Sequence, residues 1–175
     1  ATPHDLLFMD IETTGLSSST PLFLIGTMAL EAGREPQLDL FLARNLEEEA
    51  AALAAYHEKA AGKVLVTFNG KRFDWPFVEG RSRRFGLEFS EPRGHIDVLH
   101  EARRRWKPLV PNCRLQTLER YLCGRRRADD IASSRIPDTY YDWLETQNAG
   151  LLLPIVYHNA WDVLTLADLL CRLEE

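Results

Sequence analysis

Asp5–Glu12, DLLFMDIE, is the stretch on which the fold turns. Leu6 to Met9 are apolar without a break, as in a strand covered on both faces, and Asp10 and Glu12 follow within the same run. Side chains alternate across a strand, so residues two apart share a face and both carboxylates project to the same side. Two anions at that spacing repel and hold their protons more tightly unless a cation neutralises them. A divalent metal is the simplest neutraliser, because hard cations take oxygen ligands. Taken alone, the D-x-E pair also fits a turn-opening Asp10 beside a solvated Glu12, so its meaning depends on its surroundings.

Two more strands follow. Pro21–Leu30, PLFLIGTMAL, is a continuous apolar run with Gly26 inside it, and Gln37–Ala43, QLDLFLA, alternates like a half-exposed strand. Short turns between the three make an antiparallel meander. From Leu46 to Ala61 the chain is rich in Ala, Glu and Leu, a helix by propensity that Gly62 ends. Lys63–Phe68, KVLVTF, is a short buried strand, and a helix begins near Asp74 with Pro76 tolerated in its first turn. Gly94–Asp97, GHID, is a fifth strand that leads into the helix Val98–Trp106. Strand, helix, strand, helix after a meander implies parallel crossovers. Arg114–Leu122, Asp138–Thr146 and Leu151–Leu173 read as further helices. The expected fold is α/β, a five-stranded mixed sheet flanked by helices with Asp10 and Glu12 on its central strand.

The 175 residues suit one domain, 1–175, and with 45% hydrophobic and 27% charged residues the disordered, collagen-like and fibrous classes are excluded. No apolar run reaches the roughly 18–20 residues of a membrane span, and no basic segment precedes an apolar one near residue 1, so a cytoplasmic protein without a membrane partner is expected. Cys113, Cys123 and Cys171 match no zinc spacing and are read as reduced thiols. The net charge of −5 conceals a division: residues 71–135 hold 16 Lys or Arg against 9 Asp or Glu, whereas the rest holds 5 against 17. Arginine clusters at 81, 83 and 84, at 103–105 and at 125–127 fill the basic part. Guanidinium groups bind phosphate in a bidentate geometry, so a phosphate-facing surface is expected there.

Two later segments carry further polar groups. Phe68-Asn69-Gly70-Lys71-Arg72-Phe73-Asp74 leaves a strand and enters a helix, and ligands gather at the carboxyl ends of strands in open α/β sheets. Tyr157-His158-Asn159-Ala160-Trp161-Asp162 lies in the last helix, where His158 and Asp162, four apart, share a face. Each has an ordinary structural role open to it: Asn69 a turn residue, Asp74 an N-cap, His158 a surface histidine.

The motifs FMDIETTGL, LVTFNGKRFDWPFV and VYHNAWDVLTLADLL, in this order, resemble the DEDD superfamily of 3′–5′ exonucleases on the ribonuclease H-like fold, and within it the YprB-like branch. The likeness covers nearly the whole chain. DDIASSRIPDTYYDWL is also similar to that branch, with its usual glycine after Ile136 and Pro137 replaced. The resemblance implies that Asp10, Glu12, Asp74 and Asp162 are the four acids and hold two Mg²⁺ or Mn²⁺ ions, Asp10 bridging both. It implies that His158 positions or deprotonates the attacking water, although this histidine stands four residues before the last acid, the spacing of the family's tyrosine type. Close to the acids in sequence, Thr13, Asn69, Phe73 and Trp161 are the candidates to meet the terminal nucleotide, with a core role also open to Phe73 and Trp161; Arg125, Arg126 and Arg127 are the candidates to meet phosphates, and Asp97 resembles a supporting aspartate that caps the following helix. The implied activity is metal-dependent hydrolysis of DNA or RNA from a single-stranded 3′ end. A nuclease-like binding module without turnover and a metal-dependent endonuclease or resolvase remain the rival readings.

Overall fold

A computed structural model describes residues 2–31 and 33–174. Strands β1 (Leu6–Thr13), β2 (Leu22–Ala29), β3 (Gln37–Leu42), β4 (Val64–Thr67) and β5 (Gly94–Asp97) form one sheet in the order β3-β2-β1-β4-β5. β1 pairs antiparallel with β2 and parallel with β4; β2 with β3 is antiparallel and β4 with β5 parallel. The expected meander and crossovers are present, with β1 in the centre. β2, covered on both faces, is buried throughout, whereas the edge strand β3 is only partly covered, which is why its sequence alternates.

The parity of β1 positions the acids. Leu7, Met9 and Ile11 pack on α1 (Glu49–Ala60) and α2 (Asp74–Arg84) through Leu53, Tyr56, Phe77 and Val78. Phe8 faces the other way, into a cluster that draws on α3 (Val98–Trp106), α4 (Leu115–Leu122) and α6 (Ala149–Glu174). Asp10 and Glu12 share the parity of Phe8 and therefore look toward α6. Next to Glu12 the β1–β2 register shifts by one residue, a bulge of the kind found beside active sites.

α5 (Ile136–Thr146) closes the β3 side. Its Tyr140 stacks on Phe23 with ring centroids 3.8 Å apart and donates its hydroxyl to the Ala43 carbonyl at 2.9 Å. α5 begins two residues before the expected Asp138, because Pro137 is favourable in a first turn. α6 likewise starts before Leu151: Asn148 Oδ1 accepts from the Gly150 amide at 3.0 Å and caps the helix. Pro154 lies inside α6 and removes one intrahelical hydrogen bond without ending it. The first turn expected at Leu46 is a 3-10 turn capped by Asn45, and α1 proper begins at Glu49.

A buried ion pair ties the β1–β2 loop to the helices. Arg81 donates through Nη2 to Glu49 Oε2 at 2.6 Å and through Nη1 to the Ser18 carbonyl at 3.2 Å, while Glu49 Oε1 accepts from the Leu22 amide at 2.9 Å. Arg81 thus points inward rather than toward a phosphate, and Arg83 is paired with Glu79. Among the described residues no helix is long and apolar enough to cross a membrane, and the three cysteines are free thiols.

Candidate active site

β1 and β4 run parallel, so their carboxyl ends open on the same edge of the sheet. A cleft of about 450 Å³ lies there, lined by Asp10, Glu12, Asp74 and Asp162 together with His158 and Asn69. The four acids, spread over 153 positions of the chain from Asp10 to Asp162, are brought to one place. The shared face of Asp10 and Glu12 is visible in a common partner: Asn159 Nδ2 donates to Asp10 Oδ2 at 2.9 Å and approaches Glu12 Oε1 at 3.5 Å. Ionised carboxylates only accept, so the amide must turn its NH₂ to them and its oxygen to β2. There the oxygen rests against Gly26, opposite Asp10 in the ladder, where a Cβ would collide with Asn159 Oδ1. Neither residue was among those expected in the site. A glycine inside an otherwise bulky strand marks close approach, and that was the available signal.

Asp74 is the first residue of α2 and is buried. The turn before it is held by Asp97, which accepts from the amides of Asn69 at 2.8 Å, Lys71 at 3.2 Å and Leu99 at 3.1 Å. The expected cap on α3 is there, and the same carboxylate also pins the loop. Asn69 adopts φ +69°, which Asn tolerates better than most residues, and Gly70 follows because a Cβ would collide with the Thr67 side chain.

On α6, successive residues face different ways. Asn159 looks to the sheet, and His158 and Asp162 line the cleft. Trp161 lies outside its lining, edge-on to Tyr157 and beneath the Arg125 guanidinium at 5.4 Å. His158 is buried, with Nδ1 2.9 Å from Asp130 Oδ1 and Nε2 3.4 Å from Asp162 Oδ2. Asp130 was not anticipated, since nothing local ties it to a histidine 28 residues away.

The arginine cluster divides. Arg127 is buried: Nη2 lies 2.6 Å from Asp162 Oδ1, Nε donates to Glu119 Oε2 at 2.8 Å, and Nη1 approaches Asp130 and the His158 carbonyl at 3.4 Å. Its charge is met inside the protein and is not presented to a phosphate, a correction to the expectation for this residue. Arg125 pairs with Asp168 at 2.8 Å, which leaves Arg126 as the exposed member. Of the other expected contacts, Phe73 and Thr13 line the cleft, Phe73 also packing near Phe77 and Thr13 donating to the Gly15 carbonyl at 2.7 Å. Leu16, unanticipated, stands at the cleft 91% exposed.

Burial pushes the Asp10 and Glu12 carboxyls well above the ordinary carboxylate range, with the charge of Asp162 the next cause for both. Asp74 is pushed up to about 7 by burial, with the charges of Asp97 and Asp162 adding. Asp162 is raised by burial against the opposing pull of His158 and Arg127. Among the described residues no three of these side chains are drawn together as a ready metal-ligand group. Asp162 is instead engaged by Arg127, whose Nη2 lies 2.6 Å from its Oδ1. The donors nonetheless fit hard divalent ions: four carboxylates face one cleft and, among the described residues, no thiolate lines it.

A family model described as the RNase_H superfamily matches residues 7–174. The chain belongs to the RNase_H superfamily. The chain is 34% identical over 170 residues, 95% of its length, to the uncharacterized protein YprB of Bacillus subtilis (strain 168), and spans 41% of that relative. A stretch of 58 residues, 31% of the chain, is 41% identical to 3% of the catalytic polypeptide of DNA polymerase epsilon from Eremothecium gossypii. Among solved structures, the family B DNA polymerase of the archaeon Pyrobaculum calidifontis shares the fold with a TM-score of 0.66 at 16% identity, over 93% of this chain and 24% of that one. At this level the RNase_H superfamily chain is a nuclease-like protein with the expected fold.

Proposed function

We propose that this chain is a metal-dependent 3′–5′ exonuclease acting on single-stranded DNA or RNA. The observation that carries this reading is the convergence of Asp10, Glu12, Asp74 and Asp162 on one cleft, each with raised proton affinity. Carboxyls crowded against their own repulsion mark a functional site. The four would hold Mg²⁺ or Mn²⁺, which supplies an activated water and neutralises charge on the departing oxygen when two ions are bound.

The chain's own groups do the positioning. Asn159 keeps the Asp10 and Glu12 carboxylates side by side. His158, held at Nδ1 by Asp130, has Nε2 on the Asp162 side of the cleft, where it takes a proton from the attacking water. Leu16 and Phe73 offer apolar surface to a base, and Thr13 and Asn69 add polar groups at the same cleft. A volume of about 450 Å³ falls in the small-ligand range of roughly 300–1,000 Å³, room for one terminal nucleotide.

A 5′-labelled single-stranded oligonucleotide incubated with Mn²⁺ tests the reading. The expected product is a ladder of progressively shorter labelled strands. No cleavage would return the chain to a binding module, and discrete internal cuts would make it an endonuclease.

A further inference from the structure

We propose that the strand leaving the cleft is held through its phosphates along α4, by Arg114, Arg120 and Arg126. This proposal rests on the nuclease reading for the identity of the polyanion and adds the place where it binds. Two depressions continue the cleft. The first, about 320 Å³, is bounded by Arg114, Gln116, Thr117 and Ser133 and shares Ser133, His158 and Asp162 with the cleft itself. The second, about 230 Å³, shares Gln116 with the first and carries Arg120, Arg125 and Arg126. A surface path therefore runs without interruption from the acids, past the start of α4, to the loop after it.

Charge along this path separates structural arginines from available ones. Arg125 and Arg127 are consumed by Asp168, Glu119, Asp130 and Asp162. Arg114, Arg120 and Arg126 are exposed, and none has a carboxylate within 4.0 Å among the described residues. Elsewhere Arg34, Arg44, Arg83 and Arg104 pair with a glutamate three or four positions away, whereas the exposed Arg72, Arg84, Arg103, Arg105 and Arg135 also lack a carboxylate partner among the described residues but line no part of this path, so it is their place beside the cleft that sets Arg114, Arg120 and Arg126 apart. Leaving three guanidinium groups unpaired in an acidic protein has a use if an external anion pairs with them. Gln116 and Arg120, four apart, lie on the same face of α4, so that face presents one polar and one cationic group to the second depression. The cleft supplies the apolar surface for bases through Leu16, Phe68 and Phe73, and α4 supplies the charge for the backbone behind them.

The test is fluorescence anisotropy with a short fluorescein-labelled oligothymidylate and its ribose counterpart, in EDTA, between about 50 and 200 mM salt. Each lost phosphate contact flattens the log–log salt slope by about 0.7 for single strands. The triple variant R114A/R120A/R126A should bind at least about tenfold more weakly at low salt, with a slope flatter by about 2. Lysine at the same three positions should restore the slope, and alanine at Arg103, Arg104 and Arg105, which line no part of this path, should leave it unchanged. An unaltered slope in R114A/R120A/R126A, or a parent chain that does not bind at about 50 mM salt, overturns the proposal. A slope change without a cleavage ladder would retain the path and remove the nuclease reading; a ladder with an unaltered slope would do the reverse.

Discussion

Asn159 does more for the site than its position beside a histidine suggests. Its NH₂ group touches both Asp10 and Glu12, and its oxygen fits only because residue 26 has no side chain. Gly26→Ala places a methyl where Asn159 Oδ1 sits, so the amide must leave the two carboxylates. The expected result is a loss of about 1–3 kcal/mol in urea denaturation, as for other overpacked sites, together with a fall in turnover. A variant as stable and as active as the parent would contradict the contact. Residues of this kind are poorly legible in a sequence. The D-x-E pair could be read because strand alternation is local, whereas the Asn159–Asp10 contact spans 149 positions and the His158–Asp130 contact 28. Nor does a run of three arginines say which one turns inward; Arg127 does so because Glu119, Asp130 and Asp162 surround it, a fact of packing.

At the scale of elements, the Arg81–Glu49 pair joins α1, α2, the start of β2 and the β1–β2 loop that carries Gly15 and Leu16 to the cleft. Removing one partner of a buried pair strands the other charge and costs about 3–5 kcal/mol. Arg81→Ala should therefore lower stability by that amount in chemical denaturation, and a loss below about 1 kcal/mol would show the pair to be better solvated than its burial indicates. The elements themselves were largely readable. Strands β1, β4 and β5 and helix α3 follow from apolar runs and from Asp97, whose side chain caps the next helix. The starts of α5 and α6 were not, because Pro137 and Asn148 set them through first-turn and capping geometry, while hydrophobic spacing becomes clear only further along.

Across the whole molecule, the crowded acids couple stability to pH. In the unfolded chain carboxyls release their protons near pH 4, whereas Asp74 releases its proton only at about 7 and Asp10, Glu12 and Asp162 are raised in the same direction. Over that window the folded state binds more protons than the unfolded one, so stability falls as pH rises. The contribution is full below about pH 4 and, for Asp74, is lost progressively as pH rises through about 7. In EDTA the melting temperature should be higher at pH 5 than at pH 8 (conditions about one to two units either side of the transition); the reverse order would mean that the acids are not crowded.

A divalent cation relieves the same repulsion, and ligands that bind only the folded state raise its stability by linkage. The melting temperature should therefore rise on titration with Mn²⁺ at neutral pH. The most direct measurement of a shared centre is this titration on the parent beside Asp10→Asn and Asp162→Asn. If Asp10, Glu12, Asp74 and Asp162 form one cation site, Asp10→Asn melts at or above the parent without metal, Asp162→Asn, which removes a partner of the buried Arg127, does not, and both gain much less from Mn²⁺. Equal Mn²⁺-induced shifts in parent and variants would contradict it.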